Sequence, residues 1–147
     1  MLDIKRLLLR AATCAVATTA AASVLSALYN GRAAAALNAT SHIVWGDRAF
    51  RVDRADLSHT LVGVLLNAGA MLSWSVVHEL LPEPRSNAAR ALEAAGVTAL
   101  AYVTDYHLVP KRLTPGFEER LPPSALALVY LAMGVGFYAA PSPTARA

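Results

Sequence analysis

A chain of 147 residues that is 56% apolar and only 16% charged, with a mean hydropathy of +0.43, is too apolar for an average soluble domain and too short for two membrane domains. Its net charge of +3 does not point to nucleic acid. The basic residues sit almost entirely between apolar blocks, where lipid headgroups attract them, and form no stripe interleaved with aromatics.

Four apolar blocks set the expected fold, at Ala11–Tyr29, His59–Leu80, Ala88–Leu108 and Ser124–Ala140. Each runs for about 17–22 residues, the length a helix needs to cross ~30 Å of hydrocarbon. The predicted architecture is one all-α domain over residues 1–147, a transmembrane four-helix bundle with short interfacial helices in its first and third connections. The first block begins with Lys5, Arg6 and Arg10, which also suits a secretory signal, but its length favours an uncleaved helix. Along it Ala12, Ala15, Thr19, Ala22, Ser26 and Asn30 form a small-residue seam for close helix contact. Cys14, the single cysteine, has no disulfide partner and no ligand at CxxC spacing, so it is expected to be a small buried residue.

Between Gly31 and Leu57, apolar residues alternate with arginines and aspartates, which suits a chain at the headgroup boundary with Trp45 in the aromatic belt. Asp56 or Ser58 is the expected N-cap of the second span. At ~100° per residue, His59, Gly63, Asn67, Ala70, Trp74 and His78 share one arc, and Leu61, Leu65, Leu72 and Leu80 lie opposite. Asn67, Trp74 and His78 are therefore predicted to face the bundle and the leucines to face lipid. Pro82, Pro84 and an Asn87 cap predict a short turn into the third span, on which Thr98, Ala101, Tyr102 and Asp105 share a face. Pro110 ends it, Thr114-Pro115-Gly116 is a turn, and Phe117–Leu121 is expected at the interface. The fourth span offers Gly134 and Gly136 for close packing.

An even number of spans puts both termini on one side. Three cations precede the first span and Arg32 follows it, which favours cytoplasmic termini. The same alternation brings the start of the second span and the end of the third to one face. His42, His59, Asp105 and His107 can meet there, whereas His78 and Glu79 lie roughly 28 Å away along the second span. Imidazole and carboxylate together suit a divalent transition metal, or His59 and His107 a haem. A proton-handling role for His59 and Asp105 is a further possibility. The alternative to each is structural: histidines at span ends meet headgroups and water, and Asp105 pairs with Lys111 or Arg112 or is a hydrogen-bonded anchor. No cofactor is the default expectation. His78-Glu79-Leu80-Leu81-Pro82 begins like a zinc-protease helix but has Pro82 at the second ligand position. Asn38-Ala39-Thr40 is a glycosylation sequon of the kind that arises by chance, and no sequence motif supports catalysis.

The stretches Asp105–Glu118 and Asn38–Gly46 resemble small four-span inner-membrane proteins of proteobacteria. The resemblance implies a bacterial inner membrane and supplies no activity. The leading expectation is a structural or accessory membrane subunit that associates with itself or with another membrane protein in the bilayer; a metal- or haem-binding protein and a small permease or channel are the alternatives.

Overall fold

The structure, a computed structural model, describes residues 3–141, which form helices and turns with no strand among them. We number the helices α1 (Ile4–Asn30), α2 (Ala35–Thr40), α3 (His42–Trp45), α4 (Val62–Glu79), α5 (Asn87–Val103) and α6 (Pro123–Ala139). A π-turn at Leu57–Leu61 leads into α4 and another at Thr104–Leu108 extends α5.

The first helix begins earlier than its apolar block. Asp3 caps it, accepting the Arg6 backbone N–H at 3.1 Å, so Lys5, Arg6 and Arg10 lie inside the helix rather than flanking it. Asp56 caps the turn before α4 by accepting the His59 N–H at 2.6 Å. For α5 the cap is Ser86, not Asn87: Ser86 has extended backbone angles and its hydroxyl accepts the Ala89 N–H, which leaves Asn87 as the first helical residue. Pro123 opens α6, where a missing N–H costs nothing.

Helix α1 is the centre of the bundle. It packs along α6 and α4, and α5 closes the group against α6 and, more loosely, α4. Cys14 is fully buried where a Cβ on Gly136 would come within 3.0 Å of its Cα, so the glycine sets the closeness of α1 and α6. The core continues through Met71, Val97, Val129, Met133 and Phe137.

Helix α2 is buried along its whole length and closes one end of the bundle, instead of resting on an outer face. A methyl group on Gly63 would stand 1.9 Å from the Leu37 carbonyl oxygen, so α2 and α4 meet backbone to backbone. Asn38 holds the closure. It is fully buried, and its amide donates to the carbonyls of Val52 at 2.8 Å and Arg54 at 2.9 Å while its oxygen accepts from Thr60.

Among the described residues two helices are long and apolar enough to cross a membrane, Ile4–Asn30 and Leu57–Glu79; Pro123–Ala139 is apolar but shorter. The outward surface of the bundle is apolar on every long helix: Val16 is 69% exposed on α1, Leu65 60% on α4, Leu92 74% on α5 and Leu131 61% on α6.

Candidate functional site

The four side chains expected as a ligand set do not form one. His42 is buried, its Nδ1 2.9 Å from the Ala39 carbonyl and its Nε2 3.3 Å from that of Lys111, so both nitrogens are turned toward protein acceptors. The His59 ring turns back to its own cap, 3.1 Å from Asp56. The His59 backbone N–H, then the ring, hold the Asp56 carboxyl below the usual carboxylate range. His107 is exposed, with its ring edge on Tyr102. Asp105 instead accepts the Tyr130 hydroxyl at 2.7 Å. Two residues apart on one turn, Asp105 and His107 point to opposite sides. Among the described residues no group of three or more His, Cys, Asp or Glu side chains could hold a metal ion.

What Asp105 does border is a cavity of about 100 Å³ inside the bundle. Its polar lining comes from five elements: Thr18 on α1, Thr40 on α2, Asn67 on α4, Asp105 on the turn after α5, and Tyr130 on α6. Leu66, Met71, Val129 and Met133 supply apolar walls, and Pro115 and Phe117 from the third connection close it. Asn67 is buried and donates to the Thr18 and Thr19 hydroxyls at 2.9 and 3.1 Å. The Thr40 hydroxyl is buried with no partner. Behind Asp105, Tyr130 meets Tyr106 and Tyr102 edge-on, at 5.8 and 5.3 Å between ring centres. The Tyr106 hydroxyl is buried and unpartnered. So is Oε2 of the neighbouring Glu118, whose Oε1 accepts the Thr114 hydroxyl.

The polar arc on α4 faces the bundle, and only part of it lines the cavity. Asn67 and His78 are buried inside the bundle and Trp74 is half-buried against the core, while Leu61, Leu65, Leu72 and Leu80 are exposed. Asn67 reaches the cavity. His78 does not, and stacks instead on Phe137 at 5.2 Å between ring centres, at the opposite end.

That opposite end holds a charge cluster that composition and spacing did not suggest. Glu79, with 1% of its side chain exposed, is gripped from both sides. Arg6 donates to its Oε2 through Nε at 3.1 Å and through an Nη at 2.6 Å, and Arg10 pairs with its Oε1. Arg6 also pairs with Glu83. The available signal was the four-residue spacing of Arg6 and Arg10, which puts both on one helix face.

No protein-family model matches the chain, and no curated protein or solved structure shows significant similarity to it.

Proposed function

We propose that the chain is a four-span protein of a bacterial inner membrane, with both termini cytoplasmic, that admits a small polar solute to the cavity between its helices, as a small permease does. Exposed leucine and valine on all four long helices support the membrane reading, since a soluble monomer rarely shows so much apolar surface. The shorter lengths of α5 and α6 are compatible with crossing when the turns that flank them lie at membrane depth inside protein.

One observation carries the solute reading. Thr18, Thr40, Asn67 and Asp105 converge on one cavity from four separate elements. Polar groups at membrane depth are costly and face partners or cavities, and here they face a space about 100 Å³ in volume. At ~10–15 Å³ per water centre, that is room for several waters or a solute of a few heavy atoms.

Purified protein in liposomes, given radiolabelled urea or guanidinium, tests this. At least one probe should enter several-fold faster than into protein-free vesicles, and Asn67→Leu, which fills the cavity, should abolish the difference. Entry of both at the protein-free rate overturns the permease reading.

The accessory-subunit reading has its own support. An open groove of about 680 Å³ runs along α5 and α6, lined by small residues that include Ala94, Thr98, Ala127 and Gly134. Crosslinking in native membranes would then trap dimers or a partner through this face; monomer alone would dispose of it. The small residues of α1 and Gly136 give that reading less support than their spacing promised, because they are spent on contacts within the chain.

A further inference from the structure

We infer that the cavity takes a small organic cation bearing N–H donors, of the alkylammonium or guanidinium class; this rests on the solute reading above and names its substrate. The argument is one of charge. Asp105 borders the cavity, Glu118 lies near enough for its charge to act on Asp105, and neither belongs to any ion pair among the described residues. The nearest cations in sequence are turned elsewhere: Arg120 pairs with Asp53 and donates to the Phe50 carbonyl, Lys111 is exposed, and an Arg112 nitrogen lies 3.6 Å from where a Cβ on Gly46 would stand. By contrast Glu79, at the other end, has two arginines. An ionised carboxylate beside apolar walls attracts a counter-charge strongly, because the surroundings screen it poorly.

The hydrogen-bonding groups agree. Asp105 accepts one protein hydrogen bond, from Tyr130 on Oδ2, and no protein donor reaches its Oδ1 among the described residues. The Thr40 hydroxyl has no partner either, but its oxygen is enclosed by protein and does not open on the cavity. The lining thus offers the Asp105 carboxylate to a ligand that donates. A bare metal ion is a poor fit, because no three ligating side chains gather there and a hard cation wants a shell of six or more oxygens. Leu66, Met71, Val129 and Met133 suit instead the carbon skeleton of an organic cation.

Guanidinium and urea are near-isosteric and differ in charge, so the two probes separate the inference from the reading beneath it. In proteoliposomes, guanidinium uptake should exceed urea uptake at least tenfold after subtraction of the protein-free rate. Asp105→Asn, which keeps the shape and can still accept the Tyr130 hydroxyl, should remove that preference. Glu118→Gln should reduce it several-fold. Urea entering as fast as guanidinium, in an Asn67-dependent way, overturns the cation inference and leaves the permease. Neither probe entering overturns both. The preference of the unmodified protein decides the matter even if a variant fails to fold, and a preference that survives intact in a folded Asp105→Asn protein also overturns the inference.

Discussion

Glu79 at one end of the bundle and Asp105 at the other are acids in opposite circumstances. At one, Glu79 is enclosed by Arg6 and Arg10, with Arg6 reaching on to Glu83, so that acid and base are matched within the chain. At the other, Asp105 borders a cavity whose wall includes tyrosine and threonine but no lysine or arginine, and Glu118 accepts the Thr114 hydroxyl in the connection that follows. Matched charges make a clamp: they fix α1 against the end of α4 and leave little for a ligand to do. Unmatched ones keep an unfilled electrostatic demand, and a cavity beside it is where that demand can be met. The contrast implies that acids at the two ends respond differently to removal.

The largest effect belongs to the clamp. Glu79→Ala strands Arg10, which is 5% exposed, as an uncompensated charge inside the bundle. Breaking a buried pair by deleting one partner costs about 3–5 kcal/mol. Reversible unfolding in detergent, followed by helix signal, should show a loss of that order, with Glu79→Gln in between. A loss below about 0.5 kcal/mol, the range of ordinary surface changes, would mean that Arg6 and Arg10 find water and that the clamp is no clamp.

Next comes the closure over the cavity. Gly63→Ala places a methyl group 1.9 Å from the Leu37 carbonyl oxygen, so α2 must move away from α4. Overpacking of this kind costs typically 1–3 kcal/mol. Because Thr40 on α2 lines the cavity, the same change should alter solute entry as well as stability. A variant as stable as the parent, with unchanged uptake, would show that α2 does not close the cavity as its backbone contact implies.

Smaller still, and opposite in character, is the effect of removing the unmatched acid. Asp105→Asn deletes a charge that has no protein counter-charge and preserves an acceptor for Tyr130. Its stability should therefore change by less than about 1 kcal/mol, since the hydrogen bond that remains is worth about that much and no partner is orphaned. A loss matching that of Glu79→Ala would place an internal cation on Asp105 and erase the difference between the ends.

Much of the helical order was legible because run length and composition are local properties. The α4 arc was legible for the same reason: Asn67 and His78 lie inside and Leu65 and Leu80 outside, as a period of 3.6 requires. The start of α1 was not, because charged residues end an apolar block without ending a helix capped at Asp3. Nor was the Arg10–Glu79 pair, whose partners are 69 positions apart. The proposed ligand set failed on rotation rather than on height. Span alternation can sort His42, Asp105 and His107 to an end, but it does not say which way each side chain turns, and the two-residue offset between Asp105 and His107 already argued against a common centre.

The smallest expected effect tests whether a carboxylate at the cavity end is held by local geometry alone. Asp56 is exposed, and its carboxyl is kept below the usual range first by the His59 backbone N–H and then by the His59 ring. A depressed value in the folded chain means that the cap helps the fold above the ordinary carboxylate range, and that this help is lost as pH falls through the folded value. The turn at Leu57–Leu61 should accordingly stay closed to a lower pH than an ordinary aspartate cap allows, and then loosen. Amide exchange at His59 and Thr60, followed from neutral pH downward, should rise only below the ordinary carboxylate range, and should rise earlier when His59→Ala removes the ring. An onset unmoved by that change would assign the whole depression to the backbone bond. The cap would then be a property of the turn, independent of the histidine that the sequence marked as a ligand.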